Sequence, residues 1–437
     1  MKARSQLLRK VLLVIVMGVL LLPMVQTLIP IFELKPLSGF TRQRPRTELT
    51  VSNWMDGSYQ ESEEFYLTEH LGFREFLVRL HHQIDYSCFG QLHAKAVFEG
   101  KNGYLYDKKH LDAYLGNDFP GNEFIKDKVT KLRFIRDKLA PYHKSVIVVM
   151  VPGKASFFPE FLPVGTPYPG YYTNVRGYLN EFQSQGIDCI DLFHYLKQAK
   201  RQSPYPLFSK YGIHWSHYGS ALASDSLIRY MERLYEIRIA ENCWSGVSVE
   251  PAHDTDIDLL ALLNLLSEPA LPDMGYPIVK EIAPKSRSKL PVLAVGDSYF
   301  WGIDRFFSRC FTDYHFWSYN ADVYPESTYK AVYTYQLDWR EQLAKHDVII
   351  LLATDANLSN FGWGFIEQAE QLLRDPSTIQ YLNDHYNRRL ESFKQGMRGD
   401  QNWMGNIAQK AAEKGISIEE MLTLDAQWVL HHYQAPK

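Results

Sequence analysis

The chain has 437 residues, 46% hydrophobic and 22% charged, with a formal net charge of −3. That is enough apolar material for one large domain or two modest ones, and the charge balance excludes the concentrated basic face of a nucleic-acid binder. Aromatics reach 14%, which fits either a large core or a groove lined with rings.

In chain order, the first stretch stands apart. Lys2, Arg4, Arg9 and Lys10 precede Val11–Phe32, a run with no charged residue. Its roughly 22 residues match the length needed to span a bilayer as a helix. Positive charge on the N-terminal side places that end in the cytoplasm. No small-x-small cleavage site lies between Leu22 and Pro36, and no Cys is there for lipid attachment. Residues 1–33 are therefore expected to form an uncleaved anchor, kinked or ended by Pro23 and Pro30. No second span follows, so the bulk of the chain is expected outside the cytoplasm.

Residues 34–124 read as a polar, proline-containing linker (Lys35 to Glu48), a helix over Glu61–Phe89, and two short strands within Ala96–Asp107 joined by a Lys101-Asn102-Gly103 turn. From 125 to 362 helices alternate with short β-branched apolar runs: Ser145–Val151, Ile187–Leu192, Pro291–Val295, Tyr314–Ser318 and Val348–Leu352. Such runs suit parallel strands buried on both faces. Right-handed crossovers between them imply a three-layer α/β/α sandwich with its functional loops at the carboxyl ends of the strands. An insertion over about 222–289 interrupts the rhythm with a helix at Leu222–Leu234 and an acidic, Leu-rich piece from Asp254 to Leu266. Residues 363–437 read as a helical, charged extension with a turn near Met397–Met404.

The chemistry is expected where the strand Pro291–Val295 runs into Gly296-Asp297-Ser298. Gly permits a sharp turn, and a Ser just past a strand end lies beside outward-pointing N–H groups able to hold an oxyanion. Gly, Asp and Ser are also common turn formers, so three letters alone also fit a plain turn. A nucleophilic Ser needs a base. Of 15 histidines, His214 has the most suggestive setting, a turn entering a helix near Ser220. The four cysteines, Cys88, Cys189, Cys243 and Cys310, permit two disulfides in an oxidising compartment but have no metal-site spacing. No metal and no cofactor are expected.

The segment His214-Trp215 followed by Gly296-Asp297-Ser298 resembles the SGNH-hydrolase-like domain of the alginate O-acetyltransferase family, in which the His segment precedes the nucleophile segment. The resemblance extends to Gly100-Lys101-Asn102-Gly103-Tyr104-Leu105-Tyr106, to Val151-Pro152-Gly153-Lys154-Ala155 with Phe158-Pro159-Glu160, and to Asp56-Gly57 and Phe73-Arg74, spanning about residues 40 to 360. It implies Ser298 as nucleophile and His214 as general base. The family has an Asp two residues before the His; here that position is Gly212. That Asp fixes the tautomer of the His, and in serine proteases its loss costs about 10⁴-fold in rate. Asp297, Asp225 or Asp355 could orient His214 instead, a Ser-His dyad could act with a backbone carbonyl, or the site could be inactive. Ser298 N–H is expected in the oxyanion hole, with Asn320, Asp355 and Asn357 at other strand ends as further candidates. Lys154, also after a strand, is expected either to meet an anionic or hydroxylated acceptor or to lie on the surface.

By this resemblance the chain is expected to be an O-acyltransferase, acetyl in type, that modifies an exported polysaccharide. It would sit in the inner membrane with its bulk in the periplasm. A membrane-bound O-acyltransferase would supply acyl groups. The alternative is a catalytically weak accessory subunit that binds glycan.

Overall fold

The computed structural model describes residues 2–39, 44–239 and 243–432. Two compact units emerge, residues 1–98 with 258–271, and 99–257 with 272–437.

In the first unit a helix spans Lys2–Leu28. Its stretch Arg9–Leu28 is long and apolar enough to cross a membrane. Pro23 lies within the helix. The expected helix over Glu61–Phe89 is instead two, Ser58–Glu69 and Arg74–Phe89. The break lies at Gly72 and Phe73. Phe73 takes a left-handed φ of 61°, and a Cβ on Gly72 would lie 2.3 Å from the Pro23 carbonyl. Within the Leu-rich piece, Asp258–Leu262 is a short helix that buries Leu259 and Leu260.

The strands are β1 (Val97–Glu99), β2 (Leu105–Asp107), β3 (Ser145–Val151), β4 (Cys189–Asp191), β5 (Trp244–Pro251), β6 (Asp273–Val279), β7 (Val292–Gly296), β8 (Tyr314–Ser318), β9 (Asp322–Tyr324) and β10 (Val348–Thr354). In the second unit they build one main sheet, ordered β4-β3-β10-β7-β8-β9. All neighbours run parallel except the edge pair β8–β9. The sheet is thus mixed but mostly parallel. Every residue of β7 and of β10 is buried, which is why both read as unbroken apolar runs rather than alternating ones. Register sets Leu351 beside Val148 on one side and Val295 on the other.

Val148, Leu293, Val295, Ile349 and Leu351 face a core shared with the helices Asn122–Leu139, Asn174–Gln185 and Phe365–Arg374. Alternate residues point to the opposite face. The helix expected at Leu222–Leu234 begins earlier, at His217, and runs to Tyr235. The Ser216 side chain caps it by accepting from Gly219 N at 2.9 Å. It packs against the helix Phe300–Phe307. β5 and β6 pair as an antiparallel hairpin.

The C-terminal helices Pro376–Arg398, Gln401–Lys414 and Ile418–His432 bury their own cluster, including Leu390, Met397, Ile407 and Leu422. Asp400 caps the second of them, in the region expected as a turn. A buried charge cluster fixes this extension near the sheet. Asp347, just before β10, lies 2.7 Å from Lys144 Nζ and 2.8 Å from Arg389 Nη2. Burial opposes the Asp347 charge, but the two cations prevail and hold its carboxyl down at about 2.

Candidate functional site

β7 ends on Gly296, and the chain turns through Asp297 and Ser298 into the helix Phe300–Phe307. Asp297 is fully buried. Its Oδ1 accepts from Tyr299 N, and its Oδ2 accepts from Thr354 N, Thr354 Oγ1 and Asn357 Nδ2 at 2.7–2.8 Å. These bonds fasten the Gly296–Ser298 turn to the end of β10, leaving Ser298 half-buried at the rim. The two sequence-expected residues meet: His214 Nε2 is 3.0 Å from Ser298 Oγ, across 84 positions of chain.

The loop that carries His214 is fixed from several sides. Phe208 and Trp215 form an antiparallel bridge. The Lys154 ammonium donates to the carbonyls of Lys210 and Gly212 at 2.8 and 2.7 Å. Tyr299, next to the serine, donates its hydroxyl to the Ile213 carbonyl at 2.6 Å. The Ser298 turn and the His214 loop are thereby tied together one residue from each member of the pair. Lys154 is only 1% exposed. This corrects the expectation that it lies on the surface: the buried ammonium holds the loop that carries His214.

Gly212 is backed by chain, not by space. A Cβ there would lie 2.3 Å from the Thr255 carbonyl and 3.1 Å from Asp256 Cα. The segment Asp254–Ile257 occupies the place of the missing side chain, and Asp256 itself is fully buried. The carboxylates named from sequence have hydrogen bonds of their own. Asp225 accepts from Trp244 Nε1 at 3.1 Å. Asp355 accepts from Gly153 N, Ala356 N and Ser156 Oγ. Complete burial pushes the Asp355 carboxyl up to about 7.

Ser298 N–H donates to the Tyr319 hydroxyl at 3.2 Å. Tyr319 and Asn320 both have φ of 52°, a left-handed conformation uncommon for a Tyr. It is this turn out of β8 that sets the phenol over the serine. Asn320, the residue expected there, points elsewhere, its Nδ2 donating to the Trp363 carbonyl at 3.1 Å. Asn357 holds Asp297 and accepts from Lys109 Nζ at 2.6 Å. Sequence reasoning missed Tyr319 by one position.

A cavity of about 240 Å³ opens beside the pair, lined among others by Ser298, His214, Thr255, Trp301 and Arg305. Arg305 donates to His217 Nδ1. Burial first, and then the Arg305 charge, press His217 down to about 4, which keeps it a neutral acceptor.

A half-buried strand-end serine, a facing histidine from an upstream loop and a mostly parallel sheet define an α/β domain of the SGNH-hydrolase-like class. Residues 97–284, under half of the chain, match the model of the SGNH hydrolase-like domain of acetyltransferase AlgX, so this stretch is similar to such domains. The matched stretch includes Gly212 and His214 and stops short of Ser298. Among curated proteins, the chain is 23% identical over 224 residues to the probable alginate O-acetylase AlgJ of Pseudomonas aeruginosa, 51% of this chain and 54% of that one. It is 23% identical over 191 residues to the AlgJ of Pseudomonas syringae pv. tomato, 44% and 46% of the two chains. The chain thus spans about half the length of the curated relatives it matches. Among solved structures, it aligns with the O-acetyltransferase domain of Pseudomonas putida AlgJ at a TM-score of 0.42 and 17% identity, covering 63% of this chain and 99% of that one. Pseudomonas aeruginosa AlgX aligns at 0.39 and 14%, covering 64% and 67%.

Proposed function

We propose that this chain is a membrane-anchored O-acyltransferase that moves acetyl groups onto an exported polysaccharide through an acyl-Ser298 intermediate. The observation that carries this reading is the 3.0 Å contact between His214 Nε2 and Ser298 Oγ, within hydrogen-bond reach for proton transfer. Ser298 Oγ attacks the donor's acyl carbonyl while its proton passes to His214 Nε2. The donor's leaving group takes that proton as the carbon–leaving-group bond breaks. A sugar hydroxyl then attacks the acyl-enzyme and loses its proton to His214, and Ser298 leaves with that proton. Water in the sugar's place would make the same site an esterase.

The oxyanion of each tetrahedral step meets Ser298 N–H once the Tyr319 hydroxyl yields that bond, and the phenol O–H is itself a donor at the same spot. Arg305 in the cavity wall supports an acidic sugar as acceptor, because a guanidinium pairs well with a carboxylate. The apolar helix Lys2–Leu28 supports anchoring, with the domain in the periplasm. Acyl donors are cytoplasmic, so a membrane-bound O-acyltransferase partner is part of this proposal.

A second reading is a catalytically weak, glycan-binding subunit of an acylation complex. Gly212, closed off by Thr255 and Asp256, favours it. Hydrolysis of a small acetyl ester separates the two. The transferase reading expects Ser298→Ala to lose turnover by about 10³-fold or more, as loss of an activated nucleophile does. His214→Ala should fall comparably. Equal turnover by wild type and Ser298→Ala leaves only the accessory reading.

A further inference from the structure

At the opposite end of the main sheet from Ser298, where the strands begin, Asp313, His315 and His346 converge. One donor atom from each lies within 4.8 Å of the others. His315 is the second residue of β8, and His346 stands two residues ahead of β10. The ring protons can be assigned from their partners. His346 Nδ1 is 2.9 Å from the Gln342 carbonyl. A carbonyl only accepts, so Nδ1 bears the proton and Nε2 presents its lone pair. His315 Nε2 is 3.0 Å from Glu326 Oε1, and an ionised carboxylate likewise only accepts. A neutral His315 therefore presents its Nδ1 lone pair. The two lone pairs face each other at 3.1 Å, and that arrangement needs a positive centre between them.

That centre is a proton or a metal ion, and several features favour the metal. Zinc bound tetrahedrally at 2.0–2.1 Å sets its ligands about 3.3 Å apart. The His315–His346 separation of 3.1 Å and the 3.6 Å from His315 Nδ1 to Asp313 Oδ1 bracket this value. Each ring has its other N–H tied to a carboxylate or carbonyl, the arrangement that orients metal-binding imidazoles. Asp313 and Glu326 bring two carboxylates against one ammonium, Lys345, at 3.0 Å from Asp313 Oδ1, so the surroundings are negative. His346 is fully buried.

The geometry points to a divalent-cation site of the zinc class, formed by His315 Nδ1, His346 Nε2 and Asp313 Oδ1, with Glu326 and the Gln342 carbonyl orienting the rings. It links the entries of β8 and β10 across β7. Because it lies at the end of the sheet away from Ser298, its effect is on stability rather than on the acyl chemistry.

The test uses the full, untagged chain in detergent. It carries His81→Ala and His93→Ala to remove the separate His81, Asp85 and His93 group. The protein is stripped with a chelator and titrated with zinc chloride, with bound metal counted by mass spectrometry. The expected result is one zinc per chain and a higher melting temperature with zinc. His315→Ala should abolish this binding, and Glu326→Gln should weaken it about 10–100-fold. Should His315→Ala fail to fold, Glu326→Gln decides alone. A folded chain that binds no zinc overturns the site. Undiminished binding in Glu326→Gln overturns it too, as do ¹⁵N shifts showing a proton shared by the two rings in excess zinc.

Discussion

Gly212 stands where the resembled family has a carboxylate, and the surrounding backbone explains why an Asp cannot simply be put back. Its Cβ would meet the Thr255 carbonyl at 2.3 Å, a contact relieved only by moving main chain. Gly212→Asp is therefore expected to lower stability by about 1–3 kcal/mol, the cost of overpacking, and to reduce ester turnover. A variant with higher turnover and an unchanged melting temperature contradicts this. Asp355 offers a second test. Its folded-state carboxyl titrates near 7 because it is buried, while an unfolded Asp titrates near 3.9. Between those values the folded chain holds a proton that the unfolded chain has released, so stability must fall as pH rises through that window. The slope approaches about 1.4 kcal/mol per pH unit. Urea midpoints measured from pH 4 to 8 should show it for the wild type. Asp355→Asn, uncharged throughout, should show a flatter profile over the same range.

At the scale of elements, the apolar runs at 145–151 and 348–352 were readable as buried strands because both faces of β3 and β10 are covered, leaving no alternation to mislead. The helix break at Gly72 was hidden, because it depends on the approach of Pro23, 49 positions away (72 − 23). The antiparallel edge strand β9 was hidden too, because three residues carry too short a pattern. Cys243 and Cys310 belong to this scale. Sequence spacing left their pairing open, and the fold sets the two buried thiols side by side at 2.8 Å. In an oxidising compartment they are expected to join. Closing a loop of that length stabilises the chain by about 4 kcal/mol in the chain-entropy account. Mass analysis of the unreduced protein after alkylation should find Cys88 and Cys189 modified and Cys243 and Cys310 protected. Alkylation of all four without reductant argues against the bond.

Over the whole molecule, the sequence by itself determined the apolar N-terminal helix, the α/β class and the pairing of His214 with Ser298. Each of these rests on a local property: a charge-free run, β-branched strands, or a motif resembling a known domain. Only the tertiary structure decided what surrounds the pair. Lys154 became the clamp of the His214 loop and Tyr319 the partner of Ser298 N–H, while Arg305 lines the cavity. Asp297 became the pin between β7 and β10. By residue type alone, Lys154 suits a substrate contact and Asp297 suits orienting the His. The physical reason for the difference is that a polar side chain's role depends on which distant backbone groups burial forces it to satisfy. The same holds for Asp313, His315 and His346, whose spacing in the chain carries no motif and whose donors converge only when β8 and β10 enter the sheet together.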